Sequence, residues 1–173
     1  MGRIAIALII SATWTAYGYS GQNGNPDVQH RAEELKTGAR SAPKSNCEYV
    51  SRAGANENEE MERKVQFYLS KLKDRTCTET YGHGYTWYTA AEELGRIGSA
   101  AIPGLIKKLT TRNDYEMSLV LYALMLASQD PAVMAKTGVE YVELTVVLSE
   151  KNNSENKEIA LAWWQKHKRH FQQ

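Results

Sequence analysis

Large apolar residues recur at helical rather than strand spacing over most of residues 56–168. Met61, Val65, Tyr68, Leu69 and Leu72 fall at i, i+4, i+7, i+8 and i+11, one stripe along one helix face. Asn56, with Glu59 three residues later, is a capping-box signal for the start of that helix. Residues 74–85 break the pattern, and Gly82 and Gly84 supply turn chemistry there. A second helix is expected from a Thr86 cap to about Ile97. A third is expected to open on Ser99, with Pro103 in its first turn and Ile102, Leu105, Ile106 and Leu109 inward. From an Asn113 or Asp114 cap to Ser128 the chain is apolar nearly all round, which predicts a central helix covered on several sides. Asp130-Pro131 starts a turn or a further helix. Residues 139–148 are read as helix, although Thr145-Val146-Val147 favours strand locally. The last helix is expected over residues 155–168, with at least one of Trp163 and Trp164 in the core.

The N-terminal stretch follows a different logic. Arg3 and an apolar run over residues 4–10 precede small and polar residues, with Gly18 and Ser20 placed for cleavage before Gly21. A membrane anchor is the alternative, but Ser11, Thr13, Thr15 and Gly18 interrupt the run well short of the roughly 20 apolar residues a span needs. Residues 21–46 are rich in Gly, Asn, Ser, Pro and charge. They cannot bury enough surface to offset the entropy of ordering, so they read as a disordered polar tether. The expected organisation is a cleavable signal peptide over 1–20, the tether over 21–46, and one all-α domain over 47–173.

The stretch LGRIGSAAIPGLIKKL carries the most specific pattern. Leu94, Gly95, Ile97, Gly98, Ala101, Pro103, Leu105 and Leu109 form a Gly-x-x-Gly corner, small residues, then Pro and Leu at helical spacing. This resembles the HEAT repeat family. A fainter copy lies 32 residues on, where Leu126 faces Leu94 and Asp130 faces Gly98, without either glycine. The resemblance implies a short stack of helical hairpins that binds proteins, and it implies no reaction.

Charge and cysteines narrow the setting. Of 21 basic and 20 acidic residues the leader removes one base, Arg3, so the processed chain is neutral and gives no electrostatic case for nucleic acid. Two cysteines, Cys47 and Cys77, read most simply as one disulfide in an oxidising compartment, periplasmic or secreted. A redox or metal pair is the alternative, though neither C-x-x-C nor His at metal spacing accompanies them. No cofactor and no metal are expected, and no transmembrane segment after cleavage.

The candidate working surface is the loop over residues 76–89. Tyr81, Tyr85, Trp87 and Tyr88 supply large contact area at low entropic cost, and His83 sits between two glycines. The reading is a non-enzymatic interaction module for another envelope protein, either an inhibitor or immunity protein or an assembly adaptor. The alternative is a cell-wall or polysaccharide enzyme using His83 with a carboxylate such as Glu79. Glu92-Glu93 is expected to be a solvated helix face, since adjacent helical residues do not face one another. His167 and His170, i and i+3 apart, complement the negative end of a helix.

Overall fold

Asn56 opens the first helix as its spacing predicts: its side-chain oxygen accepts from the Glu59 amide at 2.9 Å, satisfying one of the donors a helix start leaves over. The computed structural model describes residues 47–81 and 83–171, without the Tyr81 side chain. The expected leader (1–20) and tether (21–46) lie outside the described residues. Helix α1 (Glu57–Lys71) buries Val65, Tyr68 and Leu69, with Leu72 just beyond it. The stripe becomes core only from Val65 onward, and Met61 stays exposed. Ahead of α1 the chain runs as an arm whose Tyr49 ring packs on Phe67 at 5.4 Å. Cys47 and Cys77, both buried, are disulfide-bonded with their Cα atoms 5.2 Å apart, closing the arm and α1 into one loop.

Where the sequence shows only a break, two short strands pair. β1 (Glu79–Tyr81) and β2 (Tyr85–Trp87) form an antiparallel hairpin in the register Glu79↔Trp87, Thr80↔Thr86, Tyr81↔Tyr85. Thr86 is therefore a strand residue and not a cap. Helix α2 (Thr89–Ile97) starts after Tyr88 with no side-chain cap. Its end is at Gly98, whose amide bonds back to the carbonyls of Gly95 and Leu94. A 3-10 turn (Gly98–Ala100) follows, so Ala101 rather than Ser99 precedes α3 (Ile102–Lys108), again with no side-chain cap and with Pro103 in the first turn.

The apolar helix is the centre of the packing. α4 (Asp114–Ser128) buries Met117, Leu119, Val120, Leu121, Ala123, Leu124 and Ala127, and packs against α2, α3 and the last helix. Asn113 caps it by accepting from the Glu116 amide at 2.9 Å. Asp130 caps α5 (Pro131–Thr137) through the amides of Ala132 and Val133, and Gly138 in the left-handed region ends it. Residues 139–149 then form no helix, contrary to the sequence reading. After a 3-10 turn (Glu150–Asn152), α6 (Asn153–His167) buries Asn156, Ala160, Trp163 and His167 at helical spacing, while Trp164 is half-buried against Phe171. The domain is thus mostly helical, as the apolar periodicity requires. Among the described residues no single helix is long and apolar enough to cross a membrane.

An ion pair between half-buried Lys108 and buried Glu116 fixes the corner between α3 and α4. Burial alone would push the Glu116 carboxyl up. The Lys108 ammonium at 2.8 Å and the Thr111 hydroxyl outweigh it and hold the group below the usual carboxylate range. Because the folded value is the lower one, this contribution is present above about pH 4.3 and is lost as pH falls through the folded value. Melting temperature is expected to fall on acidification below about pH 4, and less steeply in Glu116→Gln. Superimposable acid limbs for the two proteins would show that this pair does not contribute.

Candidate functional site

The aromatic loop is a β-hairpin braced at both ends. Cys77 ties its entry to the arm, two residues before β1. At its exit Tyr88 is half-buried, its ring set edge-on to Tyr115 at 6.5 Å, and the Arg75 guanidinium lies 4.0 Å from the Tyr115 ring centre. Aromatic and β-branched residues at alternate positions suit short strands. A three-residue turn carrying His83 and Gly84 (φ +91°) reverses the chain, with the left-handed residue where such turns require glycine.

The five residues singled out in the sequence separate into four settings. Tyr85 and Trp87, two apart on β2, share one face of the ribbon, with Tyr85 74% and Trp87 44% exposed. Tyr88 packs against the helical core and braces the hairpin instead of facing solvent. His83 is exposed in the turn. Tyr81 pairs with Tyr85 in the ladder, and its side chain lies outside the described atoms.

The carboxylate suggested for an enzymatic role, Glu79, is exposed opposite Trp87, at the end of the ladder away from the turn that carries His83. The open groove of about 440 Å³ beside α1 is lined by Glu48, Tyr49, Val50, Arg52, Arg63 and Phe67, not by the hairpin. Among the described residues no three His, Cys, Asp or Glu side chains are placed to hold a metal ion.

Glu92 and Glu93 are not a solvated face. Glu92 accepts a short hydrogen bond from the Tyr122 hydroxyl of α4. Burial and this carboxylate push the phenol's pKa well up, so it remains the donor. Glu93 pairs with Lys64 at 3.5 Å and with Arg96. Both carboxylates are joints between helices.

A second exposed surface was not anticipated. Residues 139–149 are irregular but firmly tied. Ser128 Oγ accepts from the Val142 amide at 2.9 Å. The Asn156 side chain accepts from the Thr145 amide at 3.0 Å and donates to the Val146 carbonyl at 2.9 Å. The Glu140 carbonyl accepts from Thr137 Oγ1 at 2.7 Å and from Trp163 Nε1 at 3.2 Å. Val142 is fully buried, a peg that fixes the segment from within. Between these ties Val139, Tyr141, Val146, Val147 and Leu148 are exposed. Their signal in sequence is the density of apolar residues alone, since apart from Thr137 the groups that hold the backbone lie 10–23 residues away.

Comparison with protein-family models, with curated proteins and with solved structures finds no match.

Proposed function

We propose that this chain is an exported, non-enzymatic protein–protein interaction module that engages its partner with the aromatic hairpin. The observation that carries the reading is the exposure of Tyr85 and Trp87 side by side on a ribbon braced by Cys77 and Tyr88. Tyr and Trp bring large area and a polar edge, and a braced ribbon has already lost most of the freedom that binding would cost. The role fits an inhibitor or immunity protein acting on an envelope hydrolase or toxin, or an assembly adaptor. A buried disulfide and the leader-like N-terminus are consistent with a periplasmic or secreted location.

The helical layers support reading the scaffold as a short HEAT-like stack. A methyl built on Gly95 would meet Leu126, and one built on Gly98 would meet Asp130. Leu126 and Asp130 are the residues that the 32-residue offset aligns with Leu94 and Gly98. The two corners lie against one another, as consecutive units of a stacked repeat do.

The test is affinity capture of envelope proteins on the oxidised chain and on two variants. Tyr85→Ala/Trp87→Ala is expected to weaken the stoichiometric partner by about 100-fold, the loss of two hot-spot side chains. Thr80→Ala/Thr86→Ala, on the other face of the ribbon, is expected to retain it. Equal recovery on all three would move the binding face elsewhere, and no partner on any would overturn the reading.

A further inference from the structure

Residues 139–150 read VEYVELTVVLSE, and we propose that they form a second docking surface, for a cationic amphipathic segment of a partner protein. Three features of the segment converge on this.

First, the apolar exposure is ordered. Val139 is 68% exposed, and Tyr141, Val146, Val147 and Leu148 are exposed along the same segment, while Ser128, Thr137, Asn156 and Trp163 hold the backbone through hydrogen bonds. Docking onto a surface already fixed avoids the entropy of ordering a loop.

Second, the backbone is strained to achieve it. Val139 (φ +69°) and Leu148 (φ +57°) both sit in the left-handed region, where a β-branched side chain in particular is disfavoured. Glycine would relieve both positions, yet the chain places two large apolar side chains there. They bracket the exposed segment, one at each end.

Third, the charge specifies the occupant. The segment contains Glu140, Glu143 and Glu150 and no base. Glu140 is paired with Lys166 at 2.6 Å and hydrogen-bonded to the His167 ring at 3.0 Å, contacts that hold its carboxyl below the usual range. Glu143 and Glu150 are exposed, with Glu155 and Glu158 exposed on α6; Lys136 and Lys151 are the flanking exposed bases. Carboxylates rimming an apolar surface repel anionic headgroups. They also disfavour an isologous contact with a second copy, which would bring the same acids together. A protein segment with apolar residues on one side and Lys or Arg at its edges satisfies both the surface and its rim.

The probe is a fluorescently labelled amphipathic peptide of leucine and lysine, with a leucine–glutamate peptide of the same pattern and phosphatidylglycerol-containing vesicles as competing classes. Binding to the oxidised protein is read by anisotropy and by flotation. Saturable binding of the leucine–lysine peptide is expected, weakened about tenfold by E143K/E150K and about tenfold by Val139→Gly/Leu148→Gly. The glycine variant separates recognition from structure, because glycine accepts both left-handed positions. Its melting temperature is expected to be unchanged or higher while binding falls. Tyr85→Ala/Trp87→Ala is expected to bind the peptide normally, so this result stands or falls apart from that of the hairpin.

Any of four results overturns the proposal: no binding of the leucine–lysine peptide, equal binding of the leucine–glutamate peptide, binding untouched by both loop variants, or vesicle binding lost on Val139→Gly/Leu148→Gly.

Discussion

Replacing Cys47 and Cys77 together with alanine is expected to lower stability by about 3.6 kcal/mol, the chain-entropy value for a loop closed across a separation of 30 residues. For a domain of this size that is roughly 12 °C in melting temperature. The loss is expected to be local before it is global. Besides the bond, the arm before α1 is held by the Arg52 amide on the Glu60 carboxylate at 3.3 Å and by rings such as Tyr49 on Phe67, contacts worth on the order of 1 kcal/mol each. Ordering each of its backbone residues costs about 1–2 kcal/mol, so these contacts without the bond do not hold the arm down. The helices around α4 draw their burial from residues the disulfide does not touch and should remain folded. Limited proteolysis of the reduced or double-alanine protein should therefore cut first in residues 47–56 and in the hairpin, which loses its anchored entry at the same time. The proposed partner binding through Tyr85 and Trp87 should weaken in parallel, since the bracing that orders them is gone. An unchanged denaturation midpoint would show that the bond adds nothing to the fold.

The parts of this architecture that were legible in the sequence are those whose determinants lie within a few residues. Asn56, Asn113 and Asp130 each cap a helix by bonding an amide two or three residues on, so the signal and its effect share one short window. The burial of Val65, Leu69 and Leu72, and of α4 nearly all round, follows from spacing alone. What was not legible depends on distant partners. Residues 139–148 have a helix-compatible density of apolar residues, but Ser128, Asn156 and Trp163 take up their backbone groups, and nothing local announces those bonds. Thr86 resembles a cap because it precedes an apolar run. The three-residue pairing of Tyr81 with Tyr85 places it in a strand instead, and strands that short carry no period to read. Glu92 looks solvated until Tyr122, thirty residues away, is packed over it. For the proposed aromatic surface, composition singled out the residues and the register sorts them: Tyr85 and Trp87 outward, Tyr88 into the brace.

Gly98→Ala is the substitution expected to damage the helical stack most, by about 3 kcal/mol, through two separable effects. At φ +67° and ψ −125° Gly98 occupies a region that L side chains rarely adopt, and an alanine there carries roughly 1–3 kcal/mol of strain. Its methyl would also sit 2.9 Å from Asp130 Cγ. Asp130 cannot move away at no cost, because its carboxylate caps α5 through Ala132 and Val133, a cap worth about 1 kcal/mol. Gly95→Ala meets a different balance. Alanine gains about 1 kcal/mol over glycine inside a helix, but the methyl would lie 2.5 Å from Leu126 Cβ, close to the backbone of α4 and unable to swing aside. Overpacking of this kind costs about 1–3 kcal/mol, so Gly95→Ala should still destabilise, by less than Gly98→Ala. A double-mutant cycle resolves the two effects at Gly98. If the methyl acts partly by displacing the cap, Gly98→Ala combined with Asp130→Ala should cost about 1 kcal/mol less than the sum of the single changes. Strict additivity would assign the whole penalty to the backbone. Full tolerance of Gly98→Ala would mean that the α2 corner does not rest on Asp130 at all, and would leave the proposed stacked reading with the contact of Gly95 on Leu126 alone.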